Sequence, residues 1–248
     1  ETYTRGLNVY TTLRTSDHTV AYKAMRKCIM DYERRQIYRG PEKFIDLPAN
    51  PQETEDAIDD ALADSPDNGD VMSAVVLEAS PKRVLAMRQN SETVESTGEG
   101  PRPAQSGLAD KAGPNIKLRR GALIRVAKTP KNTWEITQLP EVEGAFIAMD
   151  PRDGSVRALV GGFDFEKNKF NHVTQAWRQP GSSFKPFIYS AALEKGFTPA
   201  TVVNDAPLFF DAGVTGGQPW EPKNYDGGFE GPMSVRTALK KSKNLVSI

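Results

Sequence analysis

The sequence predicts an α+β fold, because strand-like and helix-like patterns occupy different parts of the chain. Short segments rich in β-branched residues run from residue 71 to residue 139. Residues 145–149 and 156–160 are apolar and flank an Asp-Pro-Arg-Asp-Gly turn, which predicts a β-hairpin with strands covered on both faces. Apolar residues recur at helical spacing from residue 187, so we expect a helix buried against that sheet.

The composition is that of a folded chain of one or two domains. The 248 residues include 32 Lys plus Arg and 32 Asp plus Glu, a formal net charge of zero that gives no sign of nucleic-acid binding. Cys28 is the only cysteine, which excludes an intrachain disulfide and a multi-cysteine metal cluster. The sequence has no apolar run of about 18 residues. It opens on Glu1 and ends in mid-pattern, so we interpret it as a fragment of a longer protein.

Near the start, residues 6–13 alternate loosely and predict a strand. Ser16 and Asp17 then offer an N-cap for an amphipathic helix that we expect to extend to about residue 38. Cys28 falls on the apolar stripe of this helix, which predicts a buried small hydrophobic residue rather than a reactive thiol.

Residues 53–64 predict a second amphipathic helix with one acidic face. Acidic clusters can bind calcium, but this run contains no glycine and lacks the EF-hand pattern. A solvated helix face is therefore favoured over a metal site.

The middle of the chain predicts a small β-barrel of the oligonucleotide/oligosaccharide-binding (OB) kind. A polar stretch over residues 91–115 is expected to be a mobile loop. Trp134 is the only aromatic residue of this region and Arg119-Arg120 is an isolated basic pair, so a spacer role is favoured over nucleic-acid binding. The predicted strands are residues 73–79, 83–88, 116–118, 122–127 and 133–139.

Ser182 and Lys185 form a Ser-x-x-Lys pair, which places a hydroxyl and an amine on one helix face. About one such pair is expected by chance in a chain of this length. Pro186 cannot lie deep in a helix, so the helix begins near residues 181–182 and its free N–H groups could stabilise an oxyanion at Ser182. Burial would lower the pKa of Lys185, as a general base needs. These residues alone favour equally a catalytic pair and an ordinary helix start with a snorkelling lysine.

Residues 233–241 predict a further short helix that leads into Ser242-Lys243-Asn244. A hydroxyl can relay a proton there, and an amide two residues later can hold a substrate peptide group. A Ser-x-Asn sequence also occurs about once by chance, and a polar turn after a helix explains it equally well.

Together these motifs resemble the class A, bifunctional, 1A-type high-molecular-weight penicillin-binding proteins, over essentially the whole chain. The residues that carry the resemblance are Tyr38-Arg39-Gly40-Pro41-Glu42, Ala148-Met149-Asp150-Pro151-Arg152-Asp153-Gly154, Arg178-Gln179-Pro180-Gly181-Ser182-Ser183-Phe184-Lys185-Pro186, Pro222-Lys223-Asn224-Tyr225, Gly231, Ala238-Leu239 and Ser242-Lys243-Asn244.

The resemblance implies a serine-type D-Ala-D-Ala transpeptidase or carboxypeptidase that acts on peptidoglycan stem peptides and is acylated by β-lactams. Ser182 would be the nucleophile and Lys185 its base, although the identity of the base is disputed in this superfamily. Ser242 would pass a proton to the leaving D-Ala, and Asn244 would orient the substrate amide. No cofactor and no metal are implied.

The resemblance also implies three regions: a linker and helical region over residues 1–70 that packs on the transpeptidase domain, an OB-like domain over 71–140, and the N-terminal part of a transpeptidase domain over 141–248. The parent protein would be anchored at the periplasmic face of the bacterial inner membrane, carry a glycosyltransferase domain, and meet cell-wall regulatory proteins.

One departure concerns the third motif of the superfamily. The chain has no Lys-Thr-Gly or Lys-Ser-Gly, so by itself it is expected to be inactive or weakly active. Two alternatives remain open: a β-lactam-sensing or scaffold binding module, and a serine β-lactamase.

Overall fold

The computed structural model describes residues 4–248, which fall into two compact units, one that ends at Ala176 and one that spans Trp177–Ile248. The elements of the first unit are α1 (Thr15–Glu33), β1 (Lys43–Phe44), α2 (Pro51–Ala63), β2 (Met72–Ser80), β3 (Arg83–Met87), β4 (Thr93–Thr97), α3 (Gln105–Leu108), β5 (Ala122–Lys128), β6 (Trp134–Thr137), β7 (Phe146–Met149) and β8 (Val156–Val160). Among residues 4–248, no helix is long and apolar enough to cross a membrane.

An antiparallel sheet of six strands forms the centre of the first unit, in the order β1-β5-β2-β3-β4 with β6 paired to β5. Its buried face packs Val76, Val84, Ile124 and Ile136 into one core. The mixed helix-and-sheet fold and the strands predicted over 73–79, 83–88, 122–127 and 133–139 are confirmed.

The sheet includes residues that the sequence analysis placed in a linker region. β1 pairs with β5, and α2 packs Ile58 and Leu62 against Val75 and Leu123. Asn50 caps α2 by accepting the Gln52 N–H, so the predicted second helix is confirmed. Residues from about 43 to 63 thus share the core of the OB-like region.

Three secondary-structure predictions in this unit are wrong. Residues 6–13 and 116–118 form no strand, and the stretch over 91–115 is not simply a loop, since it contains β4 and α3. β4 pairs along β3 and buries Val94 and Ser96 while its other side chains face solvent. This one-sided burial at a sheet edge explains why so polar a segment forms a strand.

The prediction for Cys28 is also wrong, because its side chain is exposed. α1 ends at Glu33 instead of near residue 38, and it buries Ala21, Met25 and Ile29 together with two charged residues, Arg26 and Glu33. Arg26 is held by Asp70 and two backbone carbonyls and lies over the ring of Phe163. Its burial therefore leaves no unsatisfied charge.

The hairpin of β7 and β8 is confirmed, with Phe146 paired to Val160 and Ile147 to Leu159. α1 packs against β8, where Ala158 and Val160 are buried. The strands are not covered on both faces, because Phe146 and Ile147 of β7 are 45% and 43% exposed.

The second unit begins with a 3-10 helix, Gly181–Phe184, and continues with α4 (Lys185–Glu194), β9 (Val202–Asp205), α5 (Ala212–Thr215), β10 (Gly231–Ser234) and α6 (Val235–Lys240). β9 and β10 form an antiparallel pair. Tyr189, Met233, Val235 and Ala238 make a small core between α4, β10 and α6.

Two predictions for the second unit need correction. The helix expected over residues 233–241 begins only at Val235, because Met233 and Ser234 belong to β10, and Leu239 is partly exposed rather than buried. Within α4, only Lys185 and Tyr189 are buried, so the expected buried helix exposes most of its apolar side chains.

Candidate active site

Ser182 is the second residue of the 3-10 helix that runs directly into α4. Gly181 before it has a φ of 54°, a left-handed conformation that glycine adopts at little steric cost. Pro186 lies in the first turn of α4, where its missing N–H breaks no helical hydrogen bond. The predicted helix start is confirmed, and the side chain of Ser182 is exposed.

Lys185 is the first residue of α4, and its side chain is buried. Its Nζ donates to the carbonyl oxygen of Ser242 at 2.6 Å, to the hydroxyl of Ser242 at 3.1 Å and to Oδ1 of Asn244 at 2.8 Å. An ammonium has three N–H donors, so each donor has one acceptor. Desolvation by burial lowers the pKa of Lys185 below its ordinary value.

Ser242 lies in the turn after α6 and has a φ of 54°, which is uncommon outside glycine. Such a conformation costs about 1 kcal/mol for a side chain with a Cβ atom. In it, the carbonyl and hydroxyl oxygens of Ser242 both lie within hydrogen-bond distance of Lys185. Strain of this kind concentrates at functional sites.

A cavity of about 560 Å³ adjoins these residues within the second unit. Ser182, Lys185 and Asn244 line it together with apolar side chains that include Phe184 and Trp220. Within the described residues, the Ser182 hydroxyl makes no hydrogen bond, and Ser242 reaches the site through Lys185 rather than by lining the cavity. The structure therefore brings together all four side chains that the sequence analysis singled out.

Sequence reasoning assigned no role to Lys243, the middle residue of the Ser-x-Asn motif. Lys243 is 3% exposed, and its Nζ lies 3.3 Å from Asp205, 3.1 Å from Asp226 and 2.9 Å from Glu230. Hydrogen bonds that Lys243 donates to these carboxylates, first to Glu230, raise its pKa despite its burial. The acidic partners lie 13 to 38 residues away in sequence, so no local pattern could have revealed them.

The two buried lysines thus have opposite electrostatic settings. Lys243 is surrounded by carboxylates and stays a cation, whereas the three acceptors of Lys185 are neutral oxygens. A buried amine without a counter-ion loses its proton more readily. Lys185 is therefore suited to take a proton, and the exposed hydroxyl of Ser182 shares its cavity.

Two known protein families match most of the chain. Residues 38–142 match the family described as "Penicillin-binding protein OB-like domain", and residues 144–248 match "Penicillin binding protein transpeptidase domain". The chain belongs to the penicillin-binding proteins, as the resemblance of its motifs predicted.

Within that family, the chain is similar to proteins named penicillin-binding protein 1A. It is 41% identical to the one from Neisseria flavescens and 39% identical to the one from Pseudomonas aeruginosa, in each case over 100% of this chain. These matches cover 31% and 30% of the two relatives, so the chain spans about a third of their length. The crystal structure of penicillin-binding protein 1A from Haemophilus influenzae superposes with a TM-score of 0.81 at 31% identity, covering 96% of this chain and 34% of that one.

Proposed function

We propose that this chain supplies the nucleophile and its proton-transfer partners to a serine-type peptidoglycan transpeptidase. The observation that carries the proposal is that the buried Nζ of Lys185 donates hydrogen bonds to Ser242 and Asn244, beside a cavity that Ser182 also lines. The match to a transpeptidase domain over residues 144–248 supports the reaction class.

In the proposed acylation, neutral Lys185 takes the hydroxyl proton of Ser182 as Oγ attacks the carbonyl carbon of the penultimate D-Ala. The C–N bond to the terminal D-Ala then breaks. The proton moves from Lys185 to the leaving nitrogen through the Ser242 hydroxyl, which lies 3.1 Å from Nζ. Free D-Ala departs, and an ester of Ser182 remains.

In the second half of the reaction, the amino group of a neighbouring stem peptide attacks the ester, and Ser182 recovers its proton. Water in place of the amine gives the carboxypeptidase reaction. A β-lactam acylates Ser182 in the same way, but its ring opens without releasing a leaving group, so the adduct persists. Asn244 orients the substrate amide from the wall of the cavity.

The relatives' name and length support a wider proposal for the full-length protein. We place it at the periplasmic face of the bacterial inner membrane, where peptidoglycan is built, with a membrane anchor and a glycosyltransferase domain. Its substrates are stem peptides ending in D-Ala-D-Ala, and cell-wall regulatory proteins are candidate partners.

Labelling the full-length protein with a fluorescent penicillin tests the proposal. We expect Ser182→Ala to abolish labelling and Ser183→Ala, the matched change at the next exposed hydroxyl, to preserve it. Labelling that survives Ser182→Ala would disprove the assignment of the nucleophile.

The fate of the adduct and the turnover of stem peptides together separate the three activities considered for this fold. A transpeptidase keeps the penicilloyl adduct and forms cross-links from stem peptides. A β-lactamase hydrolyses the adduct within a catalytic cycle, and a sensor or scaffold keeps it without turning over any peptide. Purified stem peptides supplied as donor and acceptor distinguish the first outcome from the third.

A further inference from the structure

Asn224 lies buried directly behind the candidate site and uses its whole amide. Its Nδ2 donates to Oδ1 of Asp205 at 2.7 Å and to the carbonyl oxygen of Gly228 at 2.8 Å. Its Oδ1 accepts the backbone N–H of Asn244 at 2.8 Å and of Leu245 at 3.4 Å. Every donor and acceptor of the amide is used, so only one orientation satisfies the contacts.

Asp205 fixes that orientation. It is fully buried at the end of β9, and an ionised carboxylate only accepts hydrogen bonds, so it selects the Nδ2 end of Asn224. Its second oxygen accepts the Glu230 N–H at 3.0 Å and lies 3.3 Å from Lys243. Burial acts to raise the pKa of Asp205, but the hydrogen bonds from Asn224, Glu230 and Lys243 together lower it. Asp205 therefore stays ionised at neutral pH.

The contact between Asn224 and Asn244 connects this network to Lys185. The backbone of Asn244 is held by Asn224, and the Asn244 side chain accepts from Lys185 at 2.8 Å. The other two acceptors of Lys185 belong to Ser242, two residues earlier in the same turn. The position of this turn therefore determines where the three acceptors of Lys185 lie.

We propose that Asn224, oriented by Asp205, is a positioning residue that holds the Ser242–Asn244 turn against Lys185 and thereby sets the rate at which Ser182 is acylated. The proposal rests on the proposed function of Ser182 and Lys185. Asn224 itself does not line the cavity, and it acts through the backbone of Asn244.

The variant Asn224→Asp tests the proposal in the full-length protein. It preserves the size of the side chain but places a second carboxylate where Asn224 now donates to Asp205 at 2.7 Å, so the two charges repel. A displacement of about 1 Å in a catalytic group can lower a rate about 100-fold. We therefore expect the first-order acylation constant for a penicillin to fall about 100-fold, with little change in the preceding binding constant.

Two further variants make the result specific. Asn204→Asp introduces the same charge at the exposed residue next to Asp205 and is expected to acylate at an unchanged rate. Asp205→Asn combined with Asn224→Asp exchanges the two groups and restores one donor and one carboxylate between them. In the exchanged pair the carboxylate at 224 can still accept the Asn244 N–H, although it no longer donates to Gly228, so a positioning role predicts that the exchange recovers much of the lost acylation rate.

Circular dichroism confirms that each variant is folded before its rate is compared. A folded Asn224→Asp protein slowed more than tenfold, with the exchanged pair within tenfold of the unchanged protein, supports the proposal. A folded Asn224→Asp protein slowed less than tenfold overturns it. If Asn224→Asp does not fold, Asn224→Ala, which removes the amide without adding a charge, decides: a folded Asn224→Ala protein slowed more than tenfold supports the proposal, and one slowed less than tenfold overturns it.

The Ser182→Ala variant keeps this test separate from the proposed function. Labelling that survives Ser182→Ala means that the nucleophile assignment itself has failed. Labelling that disappears in Ser182→Ala but is unchanged in Asn224→Asp means that only the positioning role of Asn224 has failed.

Discussion

Replacing Lys185 by arginine separates the base from its structural role. Arginine keeps the positive charge and the N–H donors, but it does not lose a proton in proteins. Lys185 has three neutral oxygen acceptors and is desolvated, which lowers its pKa. The exchange therefore removes the ability to accept the proton of Ser182 while retaining a cation against the Ser242–Asn244 turn.

The expected loss follows from the size of general-base catalysis, which contributes about 10²- to 10⁴-fold. That range corresponds to about 3 to 5 kcal/mol of the acylation barrier. Rapid-mixing measurements of penicillin acylation give the rate constant directly. We expect Lys185→Arg to lower the acylation rate constant by at least 100-fold. The thermal unfolding midpoint should change little, because the variant stays folded.

The pH dependence of the acylation rate tests whether Lys185 acts in its neutral form. A base acts when neutral, so acylation by the unchanged protein should rise with pH and level off above the lowered pKa of Lys185, below the ordinary lysine value of 10.5. Lys185→Arg should show no such rise. A folded Lys185→Arg protein that acylates within threefold of the unchanged rate, with the same pH profile, would refute Lys185 as the base.

Three further predictions concern single residues. Gly181→Ala should lower the free energy of unfolding, measured with urea, by about 1 kcal/mol, because Gly181 has a φ of 54°. Gly217→Ala is the control, since Gly217 lies in open space without a positive φ. Equal losses of stability in the two variants would contradict this reason. Lys243→Met should lower the thermal unfolding midpoint most at neutral pH. The attraction between Lys243 and Asp205 is present above the ordinary aspartate pKa and is lost as the pH falls through the lowered pKa of Asp205. A loss that does not depend on pH would contradict the ion-pair account. Cys28 should react with a thiol reagent in the native protein, whereas a reaction that requires unfolding would contradict its exposure.

The sequence predicted correctly the elements that are specified by a short run of neighbouring residues. The Ser182-to-Pro186 segment specified its own helix start, since proline is tolerated only in the first turn. The β7–β8 hairpin was evident from its apolar strands and turn. In both cases, the signal lies within about 15 consecutive residues.

Where burial depends on distant partners, the sequence was misleading. The apolar stripe of α1 suggested that Cys28 is buried, but the helix buries Arg26 because Asp70 and the carbonyl of Phe163 satisfy it. β4 was missed because a strand at a sheet edge needs few apolar residues, and its pairing with β3 is what orders it.

The site shows the same division. Ser182 and Lys185 are three residues apart, but Lys185 and Ser242 are 57 apart. Only the resemblance to a family placed these two residues in one site. Asp205 and Asn224 were not assigned roles, because their importance lies in a buried hydrogen bond between strand and loop. Chemical type indicates which residues can react, and tertiary contacts determine which of them do.

The most direct test of the central claim is to locate the acyl group by mass spectrometry. The full-length protein is reacted with benzylpenicillin, digested, and its peptides are sequenced by fragmentation. We predict one penicilloyl adduct, on the Ser182 side chain. An adduct on Ser183, on Ser242 or at a site outside the cavity would contradict the assignment of Ser182 as the nucleophile.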